Sequence, residues 1–330
     1  MTHVAFVTPR YGMEVVGGAE NGIRGLAERL VADRGWQAEV LTTTALDNRT
    51  WSDEYAAGGV DVNGVTVRRF GSERGRDPGF DEFSQWLRAK GSRASMADQE
   101  RWVDLQGPVS AGLLGAIAAS DADVVVFSPY LYHPIVHGLP SVGARAVFHP
   151  AAHEEPFIHF PIYERVFAAA AGFAYYTHVE RQLVEDLFPP TRGTPSIVLG
   201  LGVDAHHGDP AVARAALGLG DRPYLHYQGR IDAGKGTSML VELFAAYKRR
   251  RPGPLALVLG GPIDDHPPAH PDVIVAGPLE DSVRWGLYRD SIAYVHPSAF
   301  ESFSIVLMDA WEAGRAALVN ARCGATREHC

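Results

Sequence analysis

The sequence is poor in cysteine, in lysine and in long apolar runs. Its 330 residues hold two cysteines, Cys323 and Cys330, both at the C-terminal end. That excludes a disulfide framework and points to a reducing, cytoplasmic compartment. No stretch of 18 apolar residues occurs, so nothing reads as a membrane span. The opening MTHVAFVTP lacks both a basic flank and a long apolar run, and does not read as a secretion signal. The formal net charge is −9 and no large basic block is present, so no nucleic-acid partner is expected. The one basic run, KRRRP from Lys248, follows an apolar helical stretch and reads as positive charge at a helix C-terminus. A peripheral membrane contact through that run stays open as an alternative. Only Lys90, Lys235 and Lys248 are lysines among the 30 lysines and arginines, so a lysine in a turn stands out.

What the sequence has in quantity is alternation. Short β-branched runs alternate with amphipathic helical stretches: VAFV, then a helix in which Ile23, Leu26, Ala27, Leu30 and Val31 recur at helical spacing, then AEVLTT, VTVRRF, DVVVFS, ARAVFH, FAYYT and SIVLG. Unbroken apolar strands suit a parallel sheet covered on both faces, and the alternation implies a doubly wound α/β domain. The stretch from about Asp47 to Gln106 is richer in Gly, Ser, Arg and Asp and reads as a long excursion carrying one or two helices. A second series begins at YLHYQG and runs through LALVLGG, DVIVAG, AYVHPS and AALVN. Two domains of the same class follow, 1–203 and 204–330, expected to face each other across a cleft.

Three stretches carry chemistry. In FESFSIVLMDAWEAG the pattern places a helix start near Ser302, whose first N–H groups and positive dipole end would receive a phosphate. Glu301 stands at its rim, and Asp309 lies eight residues on, about 12 Å along the axis of one continuous helix. The two carboxylates are then too far apart for an acid/base pair, but could bracket an extended ligand at its hydroxyl-bearing ends. In QGRIDAGKG, Arg230 and Lys235 sit among glycines just past an apolar strand, where α/β sheets bind ligands and where two cations could neutralise a diphosphate. GGAENG, with Gly17 and Gly18, follows the first strand; it lacks the dinucleotide pattern, yet its glycines would admit close approach of a ligand. His149, His153 and His159 form no compact ligand set, so no metal is expected.

Taken together, these stretches resemble the family 4 retaining glycosyltransferases, which have the two-domain GT-B fold with two Rossmann-like domains. GGAE resembles the glycine loop of the N-terminal domain, GRIDAGKG the diphosphate-binding Arg/Lys turn, ESFSIVLMD the E-x7-E motif, GLGVD the interdomain segment, and HPAAHEEP the segment with a histidine near the donor sugar. The resemblance implies a hexosyl- or related glycosyltransferase of bacterial type that moves a sugar from a nucleotide-diphosphate sugar to an unknown acceptor, without cofactor or metal. It implies catalytic roles for His153, Arg230, Lys235 and Glu301. Donor contacts fall on Gly17, Gly18, Gly229, Gly277, Leu279, Ser302, Phe303, Ser304, Ile305 and Asp309. The sequence departs from the family at Asp309, where a Glu is usual, and at Gly200-Leu201-Gly202. It also stops soon after a strand, so an incomplete C-terminal domain is expected. A nucleotide-sugar-binding subunit without catalysis, or a sugar-nucleotide epimerase of the same fold, are the alternatives.

Overall fold

Eight short runs of the first two hundred residues pair into one sheet, and those at its centre are largely buried on both faces. The structure is a computed structural model that describes residues 2–330, and the chain divides into two units, Met1–Gly200 and Leu201–Cys330. The N-terminal unit contains β1 (His3–Val7), β2 (Gln37–Thr43), β3 (Gly58–Val62), β4 (Val65–Phe70), β5 (Val124–Phe127), β6 (Ala146–Phe148), β7 (Gly172–Tyr175) and β8 (Ser196–Val198). They lie in the order β3-β4-β2-β1-β5-β6-β7-β8. All neighbours are parallel except β3 and β4.

The β3–β4 hairpin is absent from the sequence reading. Its turn is Asn63-Gly64, with both residues at positive φ, a conformation that matches the twist of antiparallel strands. Strand β3 is mostly exposed at the sheet edge, so it carries no apolar alternation. The excursion from Asp47 to Gln106 does contain two helices, Phe80–Lys90 and Met96–Gln106. Instead of standing out as a loop, they pack inward: Phe80, Leu87, Trp102 and Val103 join the main core cluster with β5, β6 and β7. The Trp102 indole donates to Ser84 Oγ at 3.1 Å and the Trp51 indole to the Gln106 carbonyl at 2.8 Å, so these large rings bury without stranding a donor.

The C-terminal unit contains β9 (Tyr224–Gln228), β10 (Ala256–Gly260), β11 (Val273–Gly277), β12 (Ala293–His296) and β13 (Ala317–Val319), all parallel, in the order β11-β10-β9-β12-β13. The basic run ends the helix Thr237–Arg250, and Lys248 is buried there, its ammonium donating to the Leu255 carbonyl at 3.0 Å and pairing with Asp272 at 3.0 Å. Lys248 is thus tied into a local helix-end contact, while Arg249, Arg250 and Arg251 are exposed. Among the described residues no helix is long and apolar enough to cross a membrane.

Candidate functional site

The carboxyl ends of β9 and β12 bring together residues 66 positions apart in sequence. Past β9 the chain turns at Gly229, whose φ is 146° and whose N–H donates to the Gly260 carbonyl at 3.0 Å. A side chain there would be strained and would press on the Tyr227 hydroxyl at 3.0 Å. The turn then delivers Lys235, whose ammonium donates to Glu301 Oε1 at 2.7 Å. Glu301 Oε1 also lies 3.1 Å from Nε2 of His296, the last residue of β12. Because a carboxylate only accepts, that ring nitrogen carries the proton. The Tyr294 hydroxyl lies 3.1 Å from the other ring nitrogen, Nδ1, and 3.1 Å from the Gln228 carbonyl. The result is a continuous polar chain from Lys235 through Glu301 and His296 to the backbone of β9. His296 is 3 % exposed and was not singled out in the sequence; its signal was a lone histidine closing an otherwise apolar strand.

Burial alone would raise the Glu301 carboxyl. The Lys235 ammonium, and the hydrogen bond and charge of His296, outweigh it and hold the group well below the usual carboxylate range. Glu301 is therefore a fixed negative charge with one oxygen taken by Lys235 and His296.

The helix that follows starts later than the sequence pattern indicates. It spans Ile305–Glu312, and Ser304 is its N-cap in the left-handed region at φ 74°. A residue there cannot continue a helix, which is why Glu301 and Ser302 lie in the preceding turn. The 12 Å rise expected between Glu301 and Asp309 does not apply, since only the four steps from Ile305 to Asp309 are helical, about 6 Å. Ser304 turns its hydroxyl to His296 Nε2 at 3.2 Å instead of capping the helix. The Ser304 side chain makes no capping bond to the first N–H groups, and this positive helix end suits an anionic ligand. Phe303 is buried and meets the His329 ring edge-on, with centroids 4.7 Å apart.

Two expected members are engaged elsewhere. Arg230 is half exposed and pairs with Asp232, with Asp264 at 3.6 Å. Asp309 faces Arg284 and Glu312 electrostatically; burial, only partly offset by Arg284, pushes its carboxyl up to about 7. Gly277 ends β11 and accepts from Gly261 N at 2.7 Å, and Leu279 is half-buried against Gly260.

In the N-terminal unit the loop after β6 carries His153, 29 % exposed along its side chain, with Nε2 3.8 Å from Glu155 Oε1. Glu155 in turn receives the Tyr130 hydroxyl. The loop is anchored by a residue outside the sequence reading, Glu180. Its two oxygens accept from Ala152 N at 2.6 Å and Tyr176 N at 2.5 Å. The available signal was the Thr177-x-x-Glu180 spacing that opens the helix His178–Leu187. Burial pushes Glu180 up to about 8 against the pull of those N–H donors. Gly17 precedes the helix Gly18–Arg34 because a Cβ there would meet Glu20 Oε2 at 2.1 Å; Glu20 forms a buried pair with Arg10 at 2.5 Å. Gly18 has open space beside it. His149 is buried against the Ala174 carbonyl and His159 pairs with Glu154 at 2.6 Å, so neither joins His153.

Residues 222–330 match the family model described as Glycosyl transferases group 1. The fold is GT-B. The chain is similar to the trehalose-6-phosphate synthase OtsA, with a TM-score of 0.70 and 14% identity over 99% of this chain and 86% of that one. A sucrose-phosphate synthase from Thermosynechococcus elongatus gives 0.67 and 15%, covering 97% and 82%. Anabaena Alr3699/HepE, in complex with UDP and glucose, gives 0.62 and 14%, covering 99% and 83%. No curated protein matches the sequence. The family match marks residues 222–330 as a glycosyltransferase group 1 region, and the structural likenesses give the fold.

Proposed function

We propose that the protein is a retaining glycosyltransferase that takes its sugar from a nucleotide-diphosphate donor. The observation that carries this is the Lys235–Glu301–His296 cluster beside an uncapped helix end at the carboxyl edge of the β9–β12 sheet. A diphosphate at the start of the helix Ile305–Glu312 is met by N–H groups, by the helix dipole and by Lys235, which exchanges Glu301 for phosphate oxygen. Glu301, freed of one partner, accepts from hydroxyls of the donor sugar. Arg230, half exposed at the mouth of the same turn, reaches the diphosphate by leaving its two aspartates. Asp309 takes the ribose, and Gly229, Gly277 and Leu279 line the nucleotide.

In the transfer, the bond from the anomeric carbon to diphosphate oxygen breaks with its electron pair on the diphosphate. The acceptor hydroxyl oxygen bonds to that carbon, and its proton leaves with the departing diphosphate. Negative charge grows at the leaving group, and groups already placed to meet it lower the barrier most. Retention and membership of family 4 rest on the motif resemblance. The N-terminal unit serves the acceptor side, with Gly17 and Gly18 keeping donor contacts and His153 a catalytic role, and the C-terminal unit, from about residue 204, takes the nucleotide.

A thermal-shift panel of UDP-, GDP-, ADP- and TDP-sugars tests the donor, beginning with UDP-glucose because related folds are seen with UDP and with UDP-2-fluoro glucose. We expect one base to raise the melting temperature clearly and its nucleoside diphosphate to be released when sugar acceptors are added. No shift with any of the four, and no released nucleotide, overturns the reading.

A further inference from the structure

A second cluster of chemistry-bearing residues lies in the N-terminal unit, among residues given no role above. Two histidines, His133 and His137, sit one turn apart on the helix His133–Gly138 and face two acids one turn apart on the helix Met96–Gln106, Glu100 and Asp104. His133 Nε2 is 3.6 Å from Asp104 Oδ1, and His137 Nε2 is 3.8 Å from Glu100 Oε2. Neither distance is a hydrogen bond. The two imidazole rings are 4.4 Å apart. One ligand atom from each of Asp104, His133 and His137 lies within 4.8 Å of the others.

Neither ordinary explanation satisfies this group. An ion-pair network needs imidazole nitrogens in contact with the carboxylates, but both pairs stand beyond hydrogen-bond reach, at 3.6 and 3.8 Å. A hydrogen-bond network needs partners, yet His133 Nδ1 and His137 Nε2 are buried and have none, and His133 is 6 % exposed. Neutral imidazoles beside carboxylates are the donor set of a first-row divalent ion. Arg165 holds Glu100 Oε1 at 2.6 Å, and Arg74 stands 3.8 Å from Asp104 Oδ2. The first contact fixes the Glu100 carboxylate beside the histidines, as outer partners orient metal ligands. A zinc ion bound at about 2.1 Å needs ligand atoms about 3.4 Å apart, close to the His133–Asp104 separation and reached elsewhere by small rotations.

We propose that Asp104, His133 and His137 bind a divalent transition-metal ion of the zinc type, with Glu100 or water completing the shell. The ion clamps the excursion helix Met96–Gln106 to the helix that follows β5. It is structural, takes no part in the transfer reaction, and stands independently of the glycosyltransferase reading.

The test uses the full chain without a histidine tag and with Cys330→Ser, because that exposed thiol would otherwise bind metal on its own account. Metal-stripped protein is titrated with Zn2+ against a chromophoric chelator and with Co2+ by visible absorption. We expect one equivalent bound, intense d–d bands in the tetrahedral range, and a higher melting temperature with Zn2+. His137→Ala, at the more exposed ligand, should fold as judged by circular dichroism and weaken Zn2+ by roughly 100-fold or more, with the thermal gain lost; Asp104→Asn should act the same way. Absence of stoichiometric Zn2+ in the parent overturns the proposal and leaves a water-bridged contact. Binding by His137→Ala within threefold of the parent also overturns it.

Discussion

Each unit holds a little-exposed glutamate at the carboxyl edge of its sheet, Glu180 in the N-terminal unit and Glu301 in the C-terminal unit, and their carboxyls are shifted in opposite directions. Glu180 is 2 % exposed and the Glu301 side chain 13 %, so burial alone does not distinguish them. Glu180 meets only backbone N–H groups, and burial wins, raising it to about 8. Glu301 meets an ammonium at 2.7 Å and an imidazole N–H at 3.1 Å, and is lowered against burial. A full positive charge in contact reverses what two N–H dipoles cannot. Glu180 is suited to fixing a loop, and Glu301 to meeting ligand hydroxyls as a permanent acceptor.

The largest effect that would break this comparison comes from Glu180→Ala. It orphans the buried N–H groups of Ala152 and Tyr176, at about 1–3 kcal/mol each, so roughly 2–6 kcal/mol of unfolding free energy should be lost in urea titrations. A loss under about 1 kcal/mol would show that the His153 loop does not depend on this anchor. Next is Lys235→Met, which leaves Glu301 buried without its cation and should cost about 3 kcal/mol. Adding Glu301→Gln removes the stranded charge, so the double variant should be more stable than the sum of the singles predicts. Additive losses would mean the pair is not coupled. The same two variants sharpen the functional reading: Lys235→Met should weaken nucleoside-diphosphate binding by roughly 1.5–3 kcal/mol. Glu301→Gln should depress intact-donor binding and turnover and leave the bare nucleotide nearly unchanged, both read by calorimetry.

A smaller effect lies in pH dependence. The lowered Glu301 contributes stability above about pH 4.3 that is lost as pH falls through its folded value. The raised Glu180 acts in the opposite sense, contributing stability below about pH 4.3 that fades as pH rises toward 8. Asp309 behaves like Glu180, over the range from about pH 4 to 7. Melting temperature against pH should therefore lose its acid-side fall in Glu301→Gln and part of its decline between pH 4 and 7 in Asp309→Asn. An unchanged profile in Asp309→Asn would place that carboxyl in contact with water. The smallest stability change belongs to His153→Ala, within about 0.5 kcal/mol, with turnover reduced and nucleotide affinity kept within a few-fold; intact turnover with a large affinity loss would reverse its assignment.

The strands were legible because parallel strands buried on both faces are written as continuous apolar runs, and the helices because their apolar positions recur every three or four residues. The positions of Gly17, Gly229 and Lys235 in strand-to-helix turns were legible because such turns in α/β sheets carry recurring glycines. Strand β3 was not, since an exposed edge strand needs no apolar face. The helix start was displaced by three residues because Ser304 adopts a left-handed conformation that its neighbours in space impose and its residue type does not announce. The sequence by itself thus determined the α/β class, the two units and the order of the turns that carry charge, all set by short-range patterns of burial. Only the tertiary structure decided that Lys235 and Glu301 meet across 66 residues, that His296 protonates toward them, that Asp309 is raised and Glu301 lowered, and that His133 and His137 face Asp104. Those outcomes depend on distance and desolvation, which act between residues remote in the chain and leave no mark on local composition.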